Sequence, residues 1–179
     1  LRDATATVPY IPLIVASIMS KKLAEDLDAL VLDVKTGSGA FLPAFDDSRR
    51  LAEAMVETGK TFDVKTLAVV SDMSQPLGKH VGNACEVYEC INILRGEIKD
   101  AVRPTLDLSI ELTAAMLTLS GVSDSTEDAR LRIDEALSSG NALEVFRRNI
   151  ELQGGNPAVC DDPKMLLNEK LQKTAVVAD

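Results

Sequence analysis

The sequence feature that most constrains the fold is a pair of short apolar runs rich in β-branched residues. "ALVLDVKT" occupies residues 29–36, and "KTLAVVSDM" occupies residues 65–73. Runs of this length, bounded by turn residues, are typical of strands buried in a parallel sheet. Helical patterns precede, separate and follow the two runs. This order predicts an α/β fold whose strands are joined by right-handed crossovers.

The helical segments around these strands carry recognisable boundary residues. Pro12 suits the first turn of a helix over about residues 11–25. In the helix between the two strands, Asp46 or Asp47 is predicted to cap the start and Gly59 to close the end. Both strands are therefore expected to lie against helices.

The part of the chain after the second strand also has a helical pattern. One helix is predicted over about residues 84–96, and three more over about 104–152, with Ser125 or Thr126 capping one of them. A short helix at 163–172 is expected in the tail. Two strands are too few to cover so many helices, and an isolated pair is only marginally stable. The predicted class is therefore α/β with an incomplete parallel or mixed sheet and packed helices.

Composition excludes several classes of function. The formal net charge is −9, which argues against nonspecific binding to nucleic acid or to an anionic membrane. Three cysteines without a C-x-x-C motif and a single histidine argue against a disulfide framework and a zinc site. No apolar run reaches the roughly 20 residues of a membrane helix. A reducing, cytoplasmic location is expected.

Three local patterns suggest chemistry, and each also has a simpler interpretation. Ser17 and Lys21 are four residues apart, so a helix places them on one face, where they suit a planar ligand with an N–H and a carbonyl oxygen. Spacing alone favours a solvated lysine at a helix end. The loop "GSGAF" at residues 37–41 follows a strand but lacks a nucleotide-binding motif, which favours a tight strand exit.

The third pattern is "QPLGKHVGNACEVYE", residues 75–89. Main-chain carbonyls of such a loop, together with one carboxylate of Glu86 or Glu89, could hold a hard cation. His80 is the only imidazole in the chain. Without a second nitrogen or sulfur ligand nearby, a surface position is the simpler interpretation of His80.

Taken together, long ordered motifs resemble the pyrimidine-nucleoside and thymidine phosphorylases. They read "LRDATATV", "IPLIVASIMSKK", "DVKTGSGAF" and "DMSQPLGKHVGNACEVYE", in the family's order. The resemblance implies reversible phosphorolysis, in which a pyrimidine nucleoside and phosphate give the free base and a pentose 1-phosphate. It places the pyrimidine-binding groups on Arg2, Ser17 and Lys21, and catalysis on Arg2 and Lys21. Cationic donors there would stabilise the negative charge that develops on the leaving base.

The resemblance also implies a monovalent cation such as K⁺, held by the main-chain oxygens of Leu77 and His80 and by the Glu89 carboxylate. Three departures from the family pattern are Ala4, the "PY" pair at 9–10 and His80, which stands where alanine is frequent. None of them removes a ligand. Phosphate is the expected co-substrate, and no organic cofactor is expected.

The resemblance is to the middle of such a phosphorylase. Residues 1–27 correspond to the end of a small all-α domain and residues 28–179 to a central part of the α/β domain. The family's phosphate loop has no counterpart here, so no phosphate-binding residue is predicted, and the 179-residue chain alone is expected to be inactive. The intact protein is expected to form a homodimer.

Two alternatives remain open at this point. The chain could be a shortened base-binding or dimerisation module. It could also belong to a related nucleotide phosphorylase or phosphoribosyltransferase. Uridine and thymidine specificity are not distinguished by these motifs.

Overall fold

The structure is a computed structural model, and it describes residues 4–167 of the chain. Six α-helices and two β-strands are present in this range, together with three short 3₁₀ segments. In chain order the main elements are α1 (Ile11–Leu23), β1 (Ala29–Thr36), α2 (Phe45–Thr61), β2 (Lys65–Asp72), α3 (Asn83–Leu94), α4 (Arg103–Leu119), α5 (Thr126–Ser138) and α6 (Asn141–Leu152). The 3₁₀ segments are Asp100–Val102, Pro157–Cys160 and Pro163–Leu166.

The two strands form a parallel sheet, with Ala29 opposite Lys65 and Thr36 opposite Asp72. The α/β class and the incomplete parallel sheet are therefore confirmed. Because side chains alternate between the faces of a strand, every second residue of β1 points towards α1 and α2. Those residues belong to one apolar cluster, whose buried members are Ile14, Val15, Met19, Leu30, Leu32, Val34, Leu42, Leu51, Ala52 and Met55.

Both ends of α2 differ from the sequence prediction. The N-cap is Ala44, without a side-chain hydrogen bond, so Asp46 and Asp47 lie inside the first turn. There their carboxylates still interact favourably with the positive end of the helix dipole. Gly59 does not close the helix; it is buried within it, where an added Cβ would lie 2.0 Å from the Thr66 hydroxyl oxygen. Close contact with β2, not chain termination, explains this glycine.

The three helices predicted over about 104–152 are confirmed as α4, α5 and α6. Ser125 rather than Thr126 caps α5, because its hydroxyl accepts a hydrogen bond from the Asp128 amide at 3.1 Å. Of the helix predicted at 163–172, the structure shows a 3₁₀ segment over Pro163–Leu166, and residues 168–172 lie outside the described range. Within residues 4–167, no helix is long and apolar enough to cross a membrane.

The described chain separates into two compact units. The first unit comprises residues 4–77 and 105–133, and the second comprises residues 78–104 and 134–167. The domain boundary expected after residue 27, with a small all-α domain before it, stays a prediction.

Candidate functional site

The predicted pyrimidine-binding pair lies on α1 in the first unit. The Lys21 ammonium donates to the Ser17 hydroxyl at 3.5 Å, as the spacing of one helical turn requires. Lys21 is exposed and Ser17 is half-buried, while Ile14, Val15 and Met19 fix the helix in the apolar cluster. The packed apolar face of α1 therefore holds the Ser17 hydroxyl and the Lys21 ammonium side by side. The third predicted member, Arg2, lies outside the described residues.

The glycine-rich loop after β1 is joined to the chain that leaves β2. The Met73 amide donates to the Thr36 carbonyl at 2.7 Å, and the Gly39 amide donates to the Met73 carbonyl at 3.0 Å. A Cβ on Gly39 would lie 2.4 Å from that carbonyl oxygen, so the site requires glycine. Gly37 has a positive φ of 95°, and a Cβ there would collide with Ser74 and Asp72. Both glycines of the motif are explained by close contact between two strand exits.

A polar cluster that the sequence analysis did not identify lies on the same two strands. The Lys35 ammonium is 2.6 Å from Asp33 Oδ2 and donates to the Ser71 hydroxyl at 2.8 Å, while Ser71 donates to Asp33. Lys35 and Ser71 face each other in the parallel register. The signal was available in the sequence, since residues two apart on a strand share a face. The Lys35 ammonium contacts both Asp33 and Ser71, so this cluster ties β1 to β2 near their carboxyl ends.

The second unit contains a buried carboxylate at Glu89 on α3, whose side chain is 6% exposed. Its Oε2 atom accepts hydrogen bonds from the Lys79 amide at 2.9 Å, from the His80 amide at 3.0 Å and from His80 Nδ1 at 2.6 Å. Burial raises the pKa of Glu89, but these three bonds outweigh it and hold the pKa below its ordinary value. Glu89 is therefore an ionised carboxylate saturated by N–H donors on one oxygen.

A cavity of about 210 Å³ adjoins this carboxylate within the second unit. Its polar lining includes Lys79, His80, Glu89, Asn92 and Lys99. The ring of His80 also contacts the Tyr88 ring, with centroids 5.4 Å apart. His80 is thus part of a packed polar site and is not the plain surface histidine that its isolation in the sequence suggested.

The cation ligands predicted from the resemblance, Leu77, His80 and Glu89, stay a prediction. Glu89 Oε2 faces three N–H groups, whose positive ends would repel a cation placed at the same oxygen. Across residues 4–167, no group of three or more histidine, cysteine, aspartate or glutamate side chains is placed to hold a metal ion. The donor set around Glu89 suits a carboxylate held by the protein itself.

A second set of contacts in this unit is structural and was not predicted. Arg147 on α6 forms a two-point ion pair with the Asp161 carboxylate at 2.7 and 2.9 Å and donates to the Pro157 carbonyl. Arg95 at the end of α3 donates to the carbonyls of Cys160 and Asp161. These two guanidinium groups fasten the segment around Cys160 to α3 and α6.

Comparison with known proteins identifies a related family. The model of the "Glycosyl transferase family, a/b domain" matches residues 2–143 of this chain. A pyrimidine-nucleoside phosphorylase of Geobacillus stearothermophilus is 47% identical over 170 residues, which cover 95% of this chain and 39% of the relative. The corresponding protein of Bacillus subtilis is 46% identical over 93% of this chain and 38% of its own length.

A pyrimidine-nucleoside phosphorylase of Staphylococcus haemolyticus is 43% identical over 185 aligned residues, with 100% of this chain and 42% of the relative covered. The chain thus spans about two fifths of the length of these relatives. The similarity extends through both units, and it includes the segments that carry Ser17, Lys21, the two glycines and Glu89.

Proposed function

The chain belongs to the glycosyl transferase family with an a/b domain, and from that premise we propose that it forms part of a pyrimidine-nucleoside phosphorylase. The observation that carries the proposal is the Ser17–Lys21 pair on an anchored helix, within 3.5 Å of each other. Its support from outside the structure is the identity of 43–47% to relatives of that name. The substrates of this proposal are a pyrimidine nucleoside, such as uridine, thymidine or deoxyuridine, and phosphate.

In the proposed reaction, a phosphate oxygen forms a bond to the pentose C1′ as the bond from C1′ to the pyrimidine nitrogen breaks. The electron pair of the broken bond passes to the base, whose carbonyl oxygens become more negative. Lys21 has three N–H groups, of which one reaches Ser17, so two remain for such an oxygen. Arg2 would add a planar pair of donors, and the Ser17 hydroxyl would accept the ring N–H. These groups bind the transition state more tightly than the ground state.

Phosphate, the co-substrate, must then be held by residues other than those named here. We therefore expect no phosphorolysis by the 179-residue chain alone. An absorbance assay with uridine or thymidine and phosphate tests this expectation. Turnover above a blank without protein would contradict it.

Base binding is tested separately, by calorimetric titration of uracil and thymine into the same chain. We expect Ser17→Ala and Lys21→Ala each to weaken or abolish the binding seen with the wild-type chain. Lys22→Ala is the matched control, because Lys22 has the same charge but points about 100° away around the helix. An equal loss in Lys22→Ala, or unchanged binding in the other two variants, would contradict the proposed site.

A second candidate function rests on the Ser17–Lys21 pair alone, which could bind a base without phosphorolysis. The chain could then act as a base-binding or dimerisation module. Base binding that depends on Ser17 and Lys21, without turnover, would support this role. A stable oligomer without base binding would favour dimerisation.

Other reactions of glycosyl transfer are the remaining alternative, including those of nucleotide phosphorylases and phosphoribosyltransferases. The Ser17–Lys21 pair, with Arg2, favours a pyrimidine. A panel of pyrimidine and purine nucleosides, assayed with a protein of the relatives' full length, would separate these activities and would rank uridine against thymidine.

The intact enzyme is proposed to be a cytoplasmic homodimer that needs no organic cofactor. Support for a reducing compartment comes from Cys85, Cys90 and Cys160, which are all unpaired. The K⁺ ion expected on the main-chain oxygens of Leu77 and His80 and on the Glu89 carboxylate stays part of the proposal, since the three N–H donors to Glu89 all fall on Oε2.

A further inference from the structure

A groove of about 480 Å³ lies in the first unit, between the turn that joins α1 to β1 and the last turn of α4. Clefts that bind small organic molecules have volumes of about 300–1,000 Å³ and combine an apolar lining with a few polar groups. Neither Ser17 nor Lys21 lines this groove. It is therefore a second place where a ligand can bind, separate from the proposed pyrimidine site.

The apolar lining of the groove comes from two parts of the first unit. Its members are Leu27, Leu30 and Val31 near the start of β1, and Met116 and Leu117 on α4. The sequence of α4, "LDLSIELTAAMLTL" over residues 106–119, is apolar at nearly every second position. A helix with about 3.6 residues per turn cannot bury all such residues on one face, which explains why Met116 is 49% exposed. The helix thus leaves an apolar surface open to the groove.

The acidic lining of the groove comes from the turn after α1. The helix ends at Leu23, and Asp26 takes a positive φ of 54°, a left-handed conformation that aspartate adopts more readily than most residues. Glu25, Asp26 and Asp28 are all exposed, and all three line the groove. Within residues 4–167, none of these carboxylates forms an ion pair or a side-chain hydrogen bond, and Lys22, which also lines the groove, pairs with none of them. The described part of the chain therefore leaves negative charge uncompensated beside an apolar surface.

This combination of linings restricts the chemistry of a ligand. An anion would be repelled by three like charges, and an uncharged apolar molecule would gain nothing from them. A metal ion does not fit either, because within the described residues no three acidic, histidine or cysteine side chains are placed to hold one. An organic cation with a hydrocarbon body uses both linings at once, since its charge interacts with the carboxylates while its methylenes leave water.

We propose that this groove binds an organic cation, an amine with a hydrocarbon body. Its ammonium group lies against Glu25, Asp26 and Asp28, and its hydrocarbon lies against the apolar lining. Each methylene that is fully buried strengthens binding about threefold to fourfold, whereas an exposed ion pair contributes about twofold to fivefold. The hydrocarbon therefore sets the affinity, and the carboxylates select the charge. The proposal does not depend on phosphorolysis or on the Ser17–Lys21 site.

The first test compares probes of one size and different charge. Hexylammonium chloride, hexanol and sodium hexanoate are titrated into the 179-residue chain, and amide NMR spectra are recorded. We expect saturable shifts at the amides of Leu27, Ala29 and Leu117 with hexylammonium, about fivefold weaker binding of hexanol, and no binding of hexanoate. Butylammonium should bind about tenfold more weakly than hexylammonium, because it has two methylenes fewer.

Three outcomes of this test would overturn the proposal. The first is equal binding of hexylammonium and hexanol, which would assign the groove to uncharged apolar molecules. The second is a set of shifts spread over the acidic surface without saturation, which would reflect the net charge of −9 alone. The third is loss of hexylammonium binding as the protein concentration rises, which would assign the groove to a second copy of the chain.

The second test changes each lining separately. The double variant Asp26→Asn, Asp28→Asn should bind hexylammonium about fivefold to tenfold more weakly and hexanol unchanged; asparagine also tolerates the left-handed conformation, so the turn is kept. Met116→Ala should weaken both probes severalfold. Asp134→Asn, an exposed carboxylate outside the groove, is the matched control. Unchanged hexylammonium binding in the double variant or in Met116→Ala, or an equal loss in Asp134→Asn, would contradict the proposed site.

Discussion

The two units of the molecule differ in their most prominent contacts, although the second also buries Ile91, Ile93, Val102 and Cys160. The first unit is built on a continuous apolar cluster, in which Met19 and Met55 are 1% and 2% exposed. In the second unit, α6 has no fully buried residue, and its Arg147 reaches Asp161 and Pro157 instead. Apolar burial is non-directional and tolerates small shifts, whereas guanidinium–carboxylate bonds depend on geometry and charge. The first unit should therefore respond mainly to changes of volume, and the second also to changes of charge and pH.

The largest expected effect is on the apolar cluster. Met55→Ala should lower the free energy of unfolding by about 2–5 kcal/mol, because it removes buried methylenes and leaves a cavity. Urea denaturation followed by circular dichroism measures this change. Met116→Ala is the matched control, because Met116 is 49% exposed and should cost much less. Equal losses in the two variants would show that the cluster does not dominate the first unit.

The next effect concerns the joined strand exits of the first unit. Gly39→Ala should lower the free energy of unfolding by about 1–3 kcal/mol, because the added methyl group would collide with the Met73 carbonyl. The same urea denaturation measures it. Ser38→Ala, an exposed neighbour, should change stability by less than about 0.5 kcal/mol. An unchanged free energy of unfolding in Gly39→Ala would mean that the segments after β1 and β2 separate without destabilising the protein.

For the second unit, the sharpest test is the pH dependence of the Arg147–Asp161 pair. The hydrogen bond from Arg147 lowers the pKa of Asp161 below its ordinary value. A lowered carboxyl pKa stabilises the fold above the unfolded value of about 3.9, and this stabilisation is lost as the pH falls through the folded value. The Tm difference between wild type and Asp161→Asn should thus be present at neutral pH and disappear in acid.

The control for this pair is Asp134→Asn. Asp134 is exposed, and it forms no ion pair within residues 4–167. Its Tm should follow that of the wild type across the pH range. A wild-type advantage over Asp161→Asn that persists in strong acid would assign the effect to something other than charge. Salt at about 1 M should also reduce the advantage, since exposed pairs are screened.

The smallest effect on stability is expected at the candidate functional pair. Ser17→Ala should change the free energy of unfolding by less than about 0.5 kcal/mol, since Ser17 lies at the edge of the packed face of α1. If base binding is nevertheless lost, the pair acts on a ligand and not on the fold. A large loss of stability would instead make Ser17 part of the first unit's packing.

The strands were predictable because β1 and β2 carry a local pattern that tertiary contacts reinforce. The ends of α2 were not predictable. The start depends on the path of the chain at Ala44, and Gly59 is needed for close contact with Thr66, seven residues away on another element. A single sequence does not show whether a glycine is needed for a turn or for a close contact. Only packing distinguishes the two uses.

At the candidate site, the Ser17–Lys21 contact followed from helical spacing, and the structure reproduces it. The imidazole of His80 was assigned no role, because its partner Glu89 approaches through the turn that begins α3. The Arg147–Asp161 pair joins residues of a helix and a 3₁₀ turn with no periodic relation. Contacts between irregular segments leave no periodic signal in a single sequence, so they become visible only in the folded chain.

The backbone bonds between the strand exits also provide spectroscopic reporters. The amides of Gly39 and Met73 donate to carbonyls at 3.0 and 2.7 Å although they lie outside the strands. In isotope-labelling experiments, these two amides would retain their protons longer than the surrounding loop amides. A change in their retention would report that the loops at the carboxyl ends of β1 and β2 have separated, without any label or probe attached to the chain.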